Sequence, residues 1–213
     1  MFITFEGVEG AGKSSRLRDL ADDLRALGHE VVMTREPGGT AGAEEIRNMV
    51  LQGEAGRWSA ETEILLFNAA RRDHCEKVIR PAMERGAVIL CDRFVDSTRA
   101  IQGAARASLL PLVEALHREV IGLDPDLTLI LDIDPRVGLA RTAGRLGIAA
   151  SETRFEEMGL AFHQRVRAGL HDIAAAHPGR CRMIDGSRTP EEIRAEILST
   201  VLERLVPTAT PTP

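Results

Sequence analysis

Short apolar runs of β type recur along the chain: FITF (2–5), EVVM (30–33), AVILC (87–91), LTLILDI (127–133) and RCRMID (180–185). Between them the apolar positions shift to helical spacing. Leu17, Leu20, Leu24 and Leu27 lie three and four apart, so 14–27 reads as a helix with one apolar face, stopped by Gly28. Ile64, Leu65, Phe67, Val78, Ile79 and Met83 repeat the pattern over 62–84, up to Gly86. Pro81 lies inside that span and predicts a kink or break near residue 80. Further helices are expected at 43–51, 108–121, 135–145, 155–176 and 190–205. Strands alternating with helices predict an α/β fold with a mainly parallel sheet. In such a sheet, ligands bind beyond the carboxyl ends of the strands. The last residues, VPTATPTP, alternate proline with small polar residues and predict a disordered tail at 206–213, after a single domain over 1–205. No internal repeat is visible.

Composition narrows the classes. A chain of 213 residues can build one substantial core with a small inserted lid. Its 44% apolar and 28% charged residues are those of an ordinary globular protein. A net charge of −5 argues against a general nucleic-acid surface. No apolar run approaches the roughly 20 residues of a membrane span. FITF opens the chain with no basic stretch and apolar signal core before it, so a cytoplasmic setting is expected. Cys75, Cys91 and Cys181 are odd in number and widely spaced, which makes a disulfide framework or zinc site a poor reading. Cys91 and Cys181 lie in strand-like contexts and are expected in the core. Of 27 basic side chains only Lys13 and Lys77 are lysines, the other 25 are arginines, and tyrosine is absent.

The first candidate chemistry is GVEGAGKSS (7–15). Gly7, Gly10, Gly12, Lys13 and Ser14 fit G-x-x-x-x-G-K-[ST], with a strand before and an amphipathic helix after. Glycines let the backbone curl so that N–H groups, including those of Val8, Glu9, Ala11 and Ser15, can face phosphate oxygens. The helix N-terminus adds partial positive charge. Lys13 supplies an ammonium for the β- and γ-phosphates, and the Ser14 hydroxyl suits magnesium. A glycine-rich turn of no function is the alternative, and with lysine so scarce a chance match is improbable. The loop is expected to hold a nucleoside triphosphate, ATP.

A P-loop does not say where the phosphoryl group goes. A GTPase needs a guanine-reading N-K-x-D segment, and neither lysine lies in one. A small chain with one such loop reads as a phosphotransferase. TREPGGTAGAEEIR (34–47) places Arg35, Glu36 and Arg47 around a Pro-Gly-Gly loop, or is simply a solvated loop. In LLFNAARRDH (65–74), Phe67 and Arg71 share a helix face, where a ring can stack on a base and a guanidinium can bond its edge. The alternative is a core Phe67 and a solvated Arg71. In LCDRFVDSTRAIQGAAR (90–106), Asp92 at a strand end can hold a magnesium-bound water, and Arg93 can bind an acceptor phosphate bidentately. A salt bridge capping the strand is the other reading.

These segments together resemble the thymidylate kinase family over nearly the whole chain. The resemblance rests on the P-loop, R-E-P-G-G at 35–39, F-x-A-A-R at 67–71, D-R-F-x-x-S-T-x-A at 92–100 and P-D-L-T-L at 125–129. It implies a P-loop NTPase-type three-layer fold, a five-stranded parallel sheet flanked by helices, with a short lid at about 141–156. It implies ATP + dTMP giving ADP + dTDP with Mg2+, and a homodimer. By matching position, it implies that Arg93 binds the dTMP phosphate, Phe67 stacks on thymine and Arg71 bonds the thymine edge. Thr98 and Gln102 lie near the base, Glu36 and Arg47 near the sugar and phosphate. Glu9 takes the family's acidic P-loop position, close to the metal-phosphate assembly or the sugar. Ile101 stands where the family usually has an aromatic residue, which leaves sugar discrimination less defined than base recognition. The P-loop has no arginine, so a transition-state cation is expected from the lid, where Arg141, Arg145 and Arg154 lie and where Arg154 matches a bacterial-type lid arginine. Arg141 and the Ser187-Arg188 loop are candidates to flank adenine. The competing functions are a kinase for another (deoxy)nucleotide or deoxynucleoside, and a non-catalytic nucleotide-binding module.

Overall fold

The computed structural model describes residues 1–52, 57–143 and 158–205. Most of the expected lid, with Arg145 and Arg154, and the expected tail lie outside these residues. Five strands, β1 (Phe2–Glu6), β2 (Val31–Arg35), β3 (Val88–Asp92), β4 (Leu127–Asp132) and β5 (Cys181–Asp185), form one parallel sheet in the order β2-β3-β1-β4-β5. Each sits on a predicted apolar run, with small shifts at its ends. β1, β3 and β4 fill the middle and are buried almost throughout, which is why their sequences read as continuous apolar runs.

Helices cover both faces. Among the described residues they are α1 (Lys13–Ala26), α2 (Ala41–Leu51), α3 (Ala60–His74), α4 (Arg80–Glu84), α5 (Val95–Ala105), α6 (Leu110–Leu116), α7 (Pro135–Ala143), α8 (Gly159–Ala176) and α9 (Pro190–Leu205). The larger core cluster joins Ile3, Phe5 and Leu129 to Leu20 and Leu24 of α1, Leu170 of α8 and Ile197 of α9. A second cluster joins Phe2, Ile89 and Cys91 to Cys75, Ile79, Phe94 and Ile121. Phe2 and Ile3 thus enter different clusters, as the two-residue period of a strand requires. Cys91 and Cys181 are both buried.

Two elements differ from expectation. The helical stretch around Pro81 does not break. A π turn (Cys75–Ile79) joins α3 to α4, and the Arg80 N–H reaches back to the Cys75 carbonyl. The wide turn comes just before Pro81, which has no N–H to contribute and sits in the first turn of α4. A similar π turn (His117–Ile121) extends α6. The second difference is α5, which no periodicity predicts. Its buried positions include Asp96, Ser97, Thr98 and Gln102 beside Val95 and Ala100, so most of what it buries is polar.

Asp96 explains how such a face is tolerated. Its fully buried carboxylate accepts from both terminal nitrogens of Arg180, at 2.6 and 2.9 Å, from Arg99 Nη1 at 2.9 Å and from Thr128 Oγ1 at 3.2 Å. Burial opposes its charge, but the Arg180 and Arg99 guanidiniums outweigh burial and hold the carboxyl below its ordinary range. Asp96 thereby ties α5 to β4 and to the loop entering β5. Removing one partner of a buried ion cluster leaves the other charges uncompensated. Asp96→Ala is expected to destabilise the fold by about 3–5 kcal/mol, read as a lower urea midpoint at an unchanged m-value.

Candidate active site

The site grows from the carboxyl ends of β1 and β3, which are neighbours with Phe5 opposite Asp92. After β1 the chain curls through 7–12, and Gly12, at φ 90°, hands it to α1 in a left-handed conformation that other residues rarely adopt. Gly10 is required for a second reason. A Cβ there would lie 2.1 Å from the Gly138 carbonyl oxygen, so the loop packs backbone to backbone on α7. Lys13 folds back over the loop, its Nζ donating to the Gly7 and Val8 carbonyls, each at 3.2 Å. Burial, and then the Arg93 charge, pull the Lys13 pKa below its ordinary value against Glu9 and Asp92. The Lys13 charge in turn is the main reason the Glu9 carboxyl falls to about 2.

From β3 comes Asp92, whose carboxylate accepts the Ser14 hydroxyl at 2.6 Å. Arg93 follows at φ 72°, an uncommon conformation for a side chain of this size. Hydrogen bonds on each side hold it. Its own N–H donates to Phe5 O at 3.0 Å, and the next N–H, of Phe94, donates to Glu6 Oε1 at 2.8 Å. The guanidinium donates to Ser97 Oγ and Glu9 Oε2, both at 3.0 Å, and to Gly7 O at 3.3 Å.

A third wall is built from β2, α3 and α5. Arg71 is buried, with Nε on Glu36 Oε2 at 2.7 Å and Nη2 on Thr98 Oγ1 at 3.0 Å. Its Nη1 is buried without a protein partner. The other Glu36 oxygen lies 3.0 Å from His74 Nδ1, and His74 Nε2 lies 2.6 Å from Thr34 Oγ1. Arg47 Nη1 donates to the Pro37 carbonyl at 2.7 Å, bracing the Pro-Gly-Gly loop. Gln102 Nε2 reaches Glu63 Oε2 at 3.4 Å.

These walls enclose a cleft of about 530 Å³. Glu9, Gly10, Gly12, Lys13, Ser14 and Ser15 line it from the glycine loop. Glu36, Arg47, Phe67, Arg71, Thr98 and Gln102 line it opposite, with Asp92 and Arg93 between. Ile101 lines it beside Gln102. Gly7 contributes its carbonyl, while Val8 and Ala11 are buried beneath the loop. Arg141, Ser187 and Arg188 are not among the lining residues. Arg141 is exposed on α7, Ser187 Oγ is on Asp185 at 2.6 Å, and Arg188 pairs with Glu196.

A family model described as thymidylate kinase matches residues 5–197. The chain belongs to the thymidylate kinase family. The thymidylate kinase of Ruegeria pomeroyi is 55% identical over 205 residues, 96% of each chain. That of Caulobacter vibrioides is 54% identical, over 96% of this chain and 97% of that one. The crystal structure of thymidylate kinase from Ehrlichia chaffeensis superposes with a TM-score of 0.75 at 33% identity, covering 94% of this chain and 98% of that one. The five-stranded parallel sheet expected of a thymidylate kinase is the sheet observed.

Several residues that line or support this cleft escaped the sequence reading. Arg18 and Thr142 line the cleft, as does Arg35, which the sequence marked only as a charge beside the Pro-Gly-Gly loop. Arg18 is one helical turn beyond Ser14, a spacing that could have flagged it. Glu6 is the largest omission. It is the acidic residue that closes an otherwise uncharged strand, FITFE, and it is fully buried. It accepts from Phe94 N, from Ser97 N at 3.2 Å and from Ser97 Oγ at 2.5 Å. Burial pushes its carboxyl up to about 7, against the pull of Arg93. Between its ordinary value of 4.5 and about 7, the folded protein therefore holds this proton more tightly than the unfolded chain does. Its contribution to stability is complete below the lower value and is lost as pH rises through the upper one. Glu6→Gln cannot ionise and loses that dependence. Urea denaturation between about pH 5 and pH 8 should show the difference, variant minus wild type, moving in the variant's favour as pH rises, whatever its mean offset.

Proposed function

We propose that the chain phosphorylates dTMP to dTDP with ATP by direct in-line transfer, in the synthesis of dTTP. The observation that carries this reading is the meeting of Lys13 and Ser14 with Asp92 and Arg93 on one cleft, where Ser14 and Asp92 are hydrogen-bonded at 2.6 Å. Among the described residues the cleft is lined by six basic side chains, Lys13, Arg18, Arg35, Arg47, Arg71 and Arg93, against three carboxylates, Glu9, Glu36 and Asp92. In a chain of net charge −5, that excess makes a local well for anionic ligands.

In this reading the amides of 7–15 cradle the triphosphate, with Lys13 at its β- and γ-phosphates. Arg93 binds the dTMP phosphate. Phe67, half-buried on the cleft wall, stacks on thymine. Arg71 serves the thymine edge, because Glu36 and Thr98 fix its Nε and Nη2 and leave Nη1 as a buried donor for a carbonyl. Thr98 and Gln102 complete the base site. Glu36 acts through Arg71, since hydrogen bonds to Arg71 and His74 occupy its oxygens. Arg47 braces the loop beside the sugar and phosphate. The acceptor is a phosphate oxygen already anionic at neutral pH, so no general base is needed, and positioning and electrostatics supply the catalysis.

Magnesium fits the donors present. The Ser14 hydroxyl and Asp92 carboxylate are hard oxygen ligands, and an ion that keeps waters and phosphate oxygens needs few from the protein. They would hold it, directly or through water, where it neutralises charge on the donor phosphates. Arg154 is our choice for the lid cation, and Arg141 with Ser187 and Arg188 for the adenine flank. Arg16 supports the last assignment by donating to Pro190 O at 2.6 Å, which ties the start of α1 to that loop. The family resemblance leads us to expect a homodimer in the cytoplasm. Among the described residues no helix is long and apolar enough to cross a membrane.

With ATP and magnesium, dTMP should be turned over faster than dUMP, dCMP, UMP or AMP. Equal rates with UMP or AMP would defeat the assignment of the acceptor. Arg154→Ala should lower kcat by as much as about 10³ with little change in dTMP binding. Turnover comparable to wild type in that variant would remove Arg154 from the chemistry.

A further inference from the structure

The reaction as proposed leaves Glu6 without a task, although it is the buried acid nearest the glycine loop in sequence. It is fully buried and is not among the residues that line the cleft. Its bonds run instead to the segment that follows β3. Oε1 accepts the N–H groups of Phe94 and Ser97, and Oε2 accepts the Ser97 hydroxyl. Those N–H groups belong to the N-cap and the first turn of α5. The N-cap residue is Phe94, which offers no side-chain acceptor. A carboxylate from another strand does the capping.

The hydroxyl bond has a second consequence. Where Glu6 is ionised, Ser97 gives its proton to Glu6 Oε2, so its oxygen presents lone pairs to its other neighbour, Arg93 Nη1, at 3.0 Å. Glu6 also holds the Phe94 N–H, immediately after the left-handed Arg93. One carboxylate therefore fixes both the backbone beyond Arg93 and, through one hydroxyl, the guanidinium itself.

We propose that Glu6 is a positioning residue for phosphoryl transfer, aligning Arg93 with the acceptor phosphate through Ser97. The inference rests on the reading of Arg93 as the dTMP-phosphate ligand. A role confined to capping α5 would need only the Oε1 bonds, which an amide oxygen reproduces. Alignment through Ser97 needs Oε2 as an acceptor. In Glu6→Gln, the amide nitrogen instead donates to Ser97 Oγ and competes there with Arg93.

The variants to compare are Glu6→Gln, Ser97→Ala, Ser97→Thr and the double variant Glu6→Gln/Ser97→Ala. Each is assayed at about pH 8, where Glu6 is a carboxylate, with dTMP, ATP and magnesium, alongside circular dichroism and equilibrium binding of a fluorescent ATP analogue. Glu6→Gln should remain folded and bind the analogue within about twofold of wild type, while kcat/KM for dTMP falls by about 10–100-fold. Ser97→Ala should give a similar loss, and Ser97→Thr, which keeps the hydroxyl, should recover most of it. The double variant should be little worse than the poorer single one, because both changes break the same path. Wild-type kinetics in Glu6→Gln, additive losses in the double variant, or an equal loss of ATP-analogue binding would overturn the proposal. Should Glu6→Gln fail to fold, Ser97→Ala alone decides it, and wild-type dTMP kinetics there overturn it. A wild-type protein that makes no dTDP refutes the proposed function instead. An active wild type with unaltered Glu6→Gln and Ser97→Ala refutes only this inference.

Discussion

The adjacency of β1 and β3 is the constraint from which the site follows. These strands are parallel, with Phe5 opposite Asp92, and the ladder continues past their ends, since Arg93 N–H donates to Phe5 O and Glu36 N–H to Asp92 O. The chain reaches β3 only after leaving β1 and building β2 and four helices, yet it returns to the slot between them. Three loops, carrying Lys13, Arg93 and Glu36, are thereby launched from strands about 4.8 Å apart. The distance between the glycine loop and Arg93 is set by strand spacing, which is among the stiffest dimensions a protein has. The Ser14–Asp92 hydrogen bond is a product of that spacing.

Within this frame, the choice of arginine over lysine has a physical use. A guanidinium has five N–H donors in a planar fork, so some can be spent on fixing the group while others remain for a ligand. Arg71 is held by Glu36 and Thr98 and retains Nη1. Arg93 is held by Ser97, Glu9 and the Gly7 carbonyl. A lysine held as firmly would have little left to offer. Lys13 lies where a compact charge on a flexible stem serves better, over a loop whose shape is set by the backbone.

What was legible in the sequence divides along the same line. The strands and most helices were visible because apolar burial leaves a period of two or about 3.6 residues in local sequence. The glycine loop was visible because its motif lies in nine consecutive residues whose conformational needs restrict their identity. The D-R-F and F-x-A-A-R segments could be marked as chemistry, but residues alone left Arg71 open between a solvated charge and a ligand. Its pairing with Glu36 spans 35 positions and leaves no local pattern. The helix α5 was missed because Asp96, Ser97, Thr98 and Gln102 make up most of what it buries, leaving only Val95 and Ala100 as buried apolar positions, too few for an apolar period. Glu6 was missed because its partners lie 88 and 91 residues away. The π turn before Pro81 was missed because a proline rule foresees the lost hydrogen bond but not the backbone adjustment that accommodates it.

The distribution of buried polar groups argues for a division of labour between the halves of the cleft. On the glycine-loop side, the proposed donor side, the surface offered is mainly main chain, with glycines removing side chains where the loop meets α7. Backbone amides recognise phosphate, which every nucleotide triphosphate carries, so little discrimination is asked of them. On the proposed acceptor side the wall is made of paired side chains, Glu36 with Arg71 and His74, Arg71 with Thr98, and Gln102 with Glu63. Each pair is buried at the expense of desolvation, and packed apolar residues would often be no less stable. A fold under no demand but stability would have little reason to concentrate such pairs on one wall. A wall that must tell one base from another has that reason, because a fixed donor left unpaired by the wrong base penalises binding far more than a missing apolar contact does. The same logic fits Glu6 and Ser97 behind Arg93: if Arg93 meets the acceptor phosphate as proposed, the group that must meet it at one angle is held by side chains whose own positions are fixed in turn.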